Sequence, residues 1–413
     1  VDFIKSVRKV DEVLREAQPY IKHRARIVKV HVDEACGRVL ASDIIAPIDV
    51  PPYDRAVVDG YAVRAEDTYS ASPASPVILR VVKNSSRVRS GEAVPVSVGD
   101  RLPDGANAVI MREHVVERGE YIDVLRPVQE YANISRRGED FRKGELVVPR
   151  GRVLNLLDIA AIVSCGFREV EIFDITAALI CTGNEVKDIN DIASLEELER
   201  GAVPNTTRYI VTWFLERLGV KVTYLGTVMD DENLIAERVQ YALDRFDIVI
   251  TTGGLAVSSR DVTYRAIEKL RPDYMQRGLA IRPGRPTSIA VVHGKPVIML
   301  SGFPLAALTG LYYVAPRVIS MLTNCEIRYD RFLVYARLTT RITKPPHLRA
   351  LVRAKVKLSG NTLIAEPLTA VGSGLISTLV RGNALIDVPE GLEGHDEGET
   401  LVSELLRGTS LEE

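Results

Sequence analysis

The sequence predicts a multidomain α/β plus β protein centred on a doubly wound, mostly parallel sheet. Three observations carry that prediction. From about Phe173 onward, apolar runs of strand length alternate with segments of helical period. Before that point, and again after Cys325, short β-branched runs alternate with Gly, Pro and Asp. A chain of 413 residues also exceeds what one ordinary core serves.

Taken in order, Ile4, Val7, Val10 or Asp11, and Leu14 share one stripe, which predicts an amphipathic helix over 1–18 that Pro19 stops. Between Ala25 and Pro149 the runs RIVKVHV, VILRVV, AVIMREHVV, YIDVLRPV and ELVVP predict strands and hairpins. LLDIAAIVSCG then returns to helical spacing before Gly166. ITAALIC is an apolar strand ending in TGNEV, and TTRYIVTWFLERLG is a helix with Asn205 or Thr206 as cap and Gly219 at its stop. Next come VKVTYLGTV (strand), DENLIAERVQYALDRF (helix), DIVITTGG (strand) and VTYRAIEKL (helix). SIAVV and PVIML are strands, and LAALTGLYYVAPRVISML is a long helix. Such alternation means βαβ units and a sheet covered on both faces. FLVYARLTTRI, LRALVRAKVKL, TLIAEPL and NALIDVP then predict a small barrel or sandwich.

Composition narrows the function. A net charge of −2 removes any global electrostatic case for nucleic acid. No apolar run reaches about 18 residues, so no membrane span is expected. The charged, helix-periodic start is unlike a secretory signal, and the cytoplasm is the expected compartment. Cys36, Cys165, Cys181 and Cys325 form no CxxC pair and read as reduced thiols, three of them in apolar, buried surroundings. The histidines lack ligand spacing, and no GxSxG or Cys-His arrangement suggests acyl transfer.

In an open α/β sheet, ligands bind beyond the carboxyl ends of the strands. Four predicted strands end in loops suited to that. TGNE brings Thr182, Gly183 and Glu185; VMDD brings Asp230 and Asp231; TTGGLAVSSRD brings Gly253, Gly254, Ser258 and Asp261; SGFP brings Ser301 and Gly302. Paired glycines let a backbone approach a phosphate, although a tight turn alone accounts for such a pair. The pattern is neither GxGxxG nor a Walker loop, which leaves no dinucleotide fingerprint and no P-loop. Asp261 either caps the helix it precedes or faces a ligand, and one of Asp230 and Asp231 caps the helix after it. Glu185 sits in a turn where a structural role would favour Gly or Asp. These carboxylates offer hard oxygens to Mg2+, which takes few protein carboxylates plus substrate phosphates. RGLAIRPGRPTS adds Arg277, Arg282, Gly284 and Arg285 in a stiff segment, either oxyanion-binding forks or a solvated hairpin rim. The residues point to phosphate chemistry around a magnesium-bound anion.

PPYDRAVVDGYAVR, RLPDGANAVIMREHV, SRRGEDFRKGE, CTGNEV, TTGG…RDVT, AIRPGRP and GSGLISTLVRGNALIDVPEG follow one another along nearly the whole chain. Together they resemble the molybdopterin molybdenumtransferase family, MoeA in bacteria and the E domain of gephyrin in animals. The resemblance implies an elongated homodimer with four domains per subunit. Residues 1–24 would be an N-terminal helix region, 25–46 with 146–173 a mixed linking domain, and 47–145 a β-rich insertion. Residues 174–326 would be the doubly wound, molybdopterin-binding domain and 327–413 a C-terminal β-barrel. The implied reaction takes adenylyl-molybdopterin and molybdate, or tungstate, cleaves the pyrophosphate link, inserts the metal into the dithiolene and releases AMP with a divalent cation. The site would be shared between subunits, Asp59 of DGY reaching the partner's cleft while Glu185, Asp230 or Asp231, and Asp261 line the nucleotide and metal site. Catalysis would then rest on Asp59, Glu185 and Asp261, with Glu185, Asp231 and Asp261 as metal ligands. Arg282 and Arg285 stand where the family often has lysines.

The chain departs from the family pattern at Ala56 (usually Ser), Val98 (commonly Thr) and Gly278 (often Lys). It departs again at GFPLAALT, where the usual GLPGNPVS loses Gly and Asn to Leu305 and Ala306. A valine for threonine removes a hydroxyl donor. Two other readings therefore stand beside metal insertion: a molybdopterin adenylyltransferase, which the length and β-rich domains disfavour, and a non-catalytic molybdopterin-binding paralogue.

Overall fold

A computed structural model describes residues 7–255, 261–368, 374–408 and 410–411; Ser258 lies outside them. The chain divides into two compact units, Val1–Ser42 with Arg150–Asn155 and Glu169–Glu413, and Asp43–Pro149 with Leu156–Arg168. Both segments expected to form one linking domain contribute residues to each unit, and in each unit a strand of the first pairs with a strand of the second. Arg26–His31, Glu169–Asp174 and Val39–Leu40 make a three-stranded antiparallel sheet in the first unit. Ile44–Ile45 pairs with Leu146–Val148 in the second unit, which also holds the helix Leu156–Ser164.

The α/β part of the first unit contains strands β1 (Thr176–Thr182), β2 (Lys221–Val228), β3 (Ile248–Thr252), β4 (Tyr274–Gln276), β5 (Ser288–Val292) and β6 (Lys295–Leu300). Its sheet order is β2-β1-β3-β6-β5-β4. The first four strands are parallel and the last two antiparallel. Helices α1 (Thr207–Glu216), α2 (Glu232–Leu243), α3 (Val262–Lys269) and α4 (Pro304–Thr323) cover it. Strand alternation places Ala177, Leu179 and Cys181 in one core and Ala178 and Ile180 in the other. Ile248 and Ile250 join the first core and Val249 the second, so every central strand feeds both layers. The first core takes Val211, Phe214 and Leu215 from α1 and seven or more residues of α4, among them Leu308, Leu311, Val314 and Val318. α2 and α3 supply the second with Ile235, Val239 and Ile267. Each such side chain contributes about 1.5–3 kcal/mol of burial.

Among the described residues the N-terminal helix spans Val10–Ala17, with Val10, Val13, Leu14 and Ala17 buried; Val7 precedes it, and Ile4 lies outside the described residues. α4 is twenty residues long and apolar almost all round because it is packed between the sheet and the barrel rather than on a surface. Gly310 permits this approach, since a Cβ there would sit 2.6 Å from Thr287 Oγ1.

The C-terminal strands close into a five-stranded barrel. Arg349–Ser359 pairs with both Thr362–Pro367 and Ala384–Val388, and the circuit returns through Phe332–Leu338 and Thr400–Leu405. Its interior is narrow enough to be filled largely by Ala336, Ala350, Ala354, Ala365 and Ala384 with a few Val and Ile. Buried polar ties hold it to α4. Tyr313 OH donates to Asp387 Oδ1 at 2.7 Å, and Tyr312 OH to Glu404 Oε2 at 2.9 Å. Glu404 also receives Arg331. Ile281–Arg282 runs parallel to Arg349–Ala350, so the arginine segment is anchored to the barrel rather than forming a solvated rim.

The second unit holds a six-stranded sheet in the order Ala108–Met111, Gly60–Val63, Glu92–Val96, Val77–Val81, Tyr121–Val124 and Val115–Arg118. Of the cysteines, Cys165 and Cys181 are buried and Cys325 half-buried. Cys36 is exposed, contrary to the apolar setting read from its neighbours, because it sits in a turn ahead of the buried Val39–Leu40.

Candidate functional site

A cleft of about 1180 Å³ opens at the carboxyl ends of β1, β3 and β6, where the first turns of α1 and α4 also converge. Thr182, Gly183, Glu185, Asp230, Gly253, Gly254, Arg282, Gly284, Arg285, Ser301 and Gly302 all line it. Segments spread along the doubly wound domain thus reach one place, as the strand-end argument expects.

The glycine pair has a local cause as well as a place in the cleft. Gly253 and Gly254 adopt φ +95° and +63°, the region L side chains avoid. Side chains would also overlap Thr182 at Gly253 and Thr263 at Gly254. The two threonines lie 3.3 Å apart, and Thr263 Oγ1 donates to the Gly253 carbonyl at 3.0 Å. Those contacts hold the β3 loop against the end of β1, so the pair is both a tight turn and the cleft floor. Gly284 (φ +109°) faces the first turn of α4, where a Cβ would come within 2.8 Å of the Ala306 carbonyl. Leu305 turns into the core and Ala306 faces the cleft, so the departure from the family loop keeps a helix start there while offering no side-chain donor.

The charged residues separate into two classes. Arg282 and Arg285 line the cleft, and neither side chain has an ion pair or hydrogen bond among the described residues. Glu185 and Asp230 sit together on its other flank. Burial, and then the negative charge of Glu185, pushes the Asp230 carboxyl above its ordinary range. Asp231 behaves differently. Its Oδ1 accepts from the backbone amides of Asn233 and Leu234 at 2.8 and 2.9 Å, so it is the α2 cap and not part of the cleft lining. Asp261 is 5% exposed and ion-paired to Arg277, which lies over the Tyr264 ring at 5.2 Å. Asp261 makes no side-chain cap bond to α3 and is absent from the cleft lining; its Oδ1 has no hydrogen-bond partner. Burial raises its pKa, against the opposing pull of Arg277. The expected trio Glu185, Asp231 and Asp261 is therefore not gathered as a metal cluster, and no group of three such ligands occurs among the described residues.

Asp59 belongs to the second unit. It is exposed, and its Oδ1 accepts from the Val98 backbone amide at 3.0 Å. Ala56 is buried in the apolar cluster of Ala62, Val96, Leu102, Val109 and Ile134, a setting in which a hydroxyl would need a partner. Gly278 has φ +75°, which favours glycine over lysine at that position, and its amide donates to Ser288 Oγ at 3.2 Å.

Sequence reasoning missed the wall formed by the start of α1 and the residues just before it, among them Asn205 and Thr207. Asn205, rather than Thr206, supplies the cap by accepting from the Arg208 amide at 3.3 Å, while its Nδ2 donates to Tyr224 at 3.0 Å. Thr207 Oγ1 donates to the Gly302 carbonyl at 2.6 Å and ties α1 to the β6 loop. The signal was present, since a helix beginning beyond a parallel strand directs its first turn at the same edge. Phe303, Gly374 and Ile376 were also missed; they come together only through the docking of the barrel.

Three family descriptions match the chain in order: the MoeA N-terminal region (domain I and II) over residues 6–166, a probable molybdopterin binding domain over 178–320, and the MoeA C-terminal region (domain IV) over 335–406. A molybdopterin biosynthesis protein of Methanocaldococcus jannaschii is 32% identical over 413 residues, covering 98% of both chains. The chain belongs to the MoeA family. A molybdopterin molybdenumtransferase of Staphylococcus aureus is 30% identical over 395 residues, 94% of this chain and 93% of its own. Among solved structures, the MoeA protein of Pyrococcus horikoshii superposes with a TM-score of 0.77 at 30% identity, covering 97% of this chain and all of that one. The MoeA architecture of this chain is thus matched end to end.

Proposed function

We propose that this MoeA-family chain, which acts in molybdenum cofactor biosynthesis, inserts molybdate into adenylyl-molybdopterin with release of AMP. The observation that carries the reading is the cleft itself, where two unpaired guanidiniums and a carboxylate pair line one cavity at the carboxyl ends of the sheet. A diphosphate ester presents two phosphates and needs cationic forks to hold them; Arg282 and Arg285 supply these without giving up any internal partner. As the diphosphate link breaks, negative charge builds on the phosphate of the departing AMP. The same guanidiniums offset it, while holding the ester in place for attack at the link. Tungstate has nearly the size and charge of molybdate and is an alternative substrate.

A divalent cation fits, with two protein ligands rather than three. Burial and the charge of Glu185 raise the cost of ionising Asp230 at the cleft, and a cation held by the two carboxylates would relieve it; Mg2+ takes such a donor set. When bound, it would polarise the diphosphate. Asp231 and Asp261 take no part in this assignment.

We further infer a homodimer in which Asp59 of one subunit serves the cleft of the other. Mixing and re-equilibrating Asp59→Asn and Arg285→Ala subunits should recover about a quarter of wild-type activity, because half the dimers then hold one intact site. Two inactive variants that stay inactive together would remove the shared site. Purified protein given adenylyl-molybdopterin, Mg2+ and molybdate should release AMP as the metal is inserted. Nucleotide bound without AMP release would favour a binding paralogue, whereas molybdopterin-dependent ATP consumption without molybdate would favour adenylyl transfer.

A further inference from the structure

We propose that Phe303 is the platform against which the flat heteroaromatic ring of the substrate stacks, an inference that rests on the substrate reading above. Phe303 stands at the start of α4 and lines the cleft, yet the residue is 58% exposed. The residues that follow it, Pro304 and Leu305, are buried. An aromatic ring left open in a cleft while its neighbours pack inward is placed for a ligand rather than for the core.

Its position is built from two directions. The Phe303 amide donates to Ser301 Oγ at 3.3 Å, and Pro304 follows at the first helical position, which stiffens the backbone under the ring. On one side the segment leading into the barrel helix Ser377–Arg381 closes on it. A Cβ on Gly374 would lie 3.1 and 3.4 Å from two ring carbons, so glycine lets the backbone rest against the phenyl group. Ile376, itself partly exposed, continues the apolar wall.

Among the described residues that line the cleft, Phe303 is the only aromatic one, while Arg282, Arg285, Glu185 and Asp230 supply its charge. Adenylyl-molybdopterin carries two planar rings, adenine and pterin, and either presents a π-face that a phenyl group can stack on. Phe303 requires no side-chain partner to be broken, and its two side-chain torsions cost little to order.

The test is calorimetric titration of the full chain with AMP, with 6-hydroxymethylpterin and with ribose 5-phosphate, for wild type, Phe303→Ala and Phe303→Trp. Phe303→Ala should weaken one of the two ring-bearing probes about tenfold. Ribose 5-phosphate, which lacks a base, should bind the variant as it binds wild type. Phe303→Trp should restore the lost affinity, a rescue that a purely structural role would not give. A loss for AMP alone assigns the platform to adenine, and a loss for the pterin alone assigns it to the pterin. If wild type binds a ring-bearing probe and Phe303→Ala binds it equally well, the platform is overturned while the substrate reading stands. Wild-type protein that binds neither ring would remove both.

Discussion

Replacing Asp261 with alanine separates a residue that holds the cleft together from one that works inside it. The carboxylate is 5% exposed and its partner Arg277 has a side chain 35% exposed. Breaking a fully buried pair costs about 3–5 kcal/mol, and a fully exposed pair contributes less than about 1. This pair lies between, and removing Asp261 also removes a buried oxygen, Oδ1, that has no partner. The net loss should be about 2 kcal/mol, above the roughly 1 kcal/mol of a lost helix cap. Trp213, the only tryptophan, lies in α1 of the same domain and reports urea unfolding there. Asp261→Ala should lower the unfolding midpoint, and the loss should shrink when Arg277→Ala is already present, because the pair acts as one unit. AMP affinity measured by calorimetry should stay near that of wild type. A variant with unchanged unfolding and no AMP binding would show that the carboxylate works in the cleft, and the pairing with Arg277 would not then be its role.

Arg285→Ala and Arg282→Ala should have the opposite profile: unfolding within about 0.5 kcal/mol of wild type, since no internal partner is left behind, and AMP binding weaker by about tenfold or more. Asp231→Ala should cost about 1 kcal/mol through the lost α2 cap and leave AMP release intact in a turnover assay. Asp230 gives a pH signature. Its folded pKa is raised, so its contribution favours the folded state below the unfolded value near 3.9 and is lost as pH rises through the folded one. Asp230→Asn should therefore be more stable than wild type near neutral pH, with the gap closing in acid, and saturating Mg2+ should narrow the neutral-pH gap in unfolding scans. Gly254→Ala should destabilise the chain and weaken AMP binding together, because a side chain there overlaps Thr263 and requires a left-handed backbone.

Much of this was legible in the residues alone. ITAALIC and DIVI announce strands buried on both faces, and their alternation assigns each residue to one of two helical layers. Once the sheet is parallel, the loops after its strands must share an edge, which is why Glu185, Gly253 and Ser301 could be placed together from spacing. Roles that depend on which partner a side chain meets were not legible. Asp230 and Asp231 are adjacent and chemically alike, yet one bonds two amides of its own helix and the other meets Glu185 across a loop. Asp261 takes its role from Arg277, and Phe303 takes its setting from Gly374 on a segment that only the docked barrel brings near. Local hydrogen-bonding propensity and period travel with the chain, because they arise between near neighbours. Side-chain pairing, burial of charge and the walls of a cleft arise between distant segments, and packing alone brings those into contact.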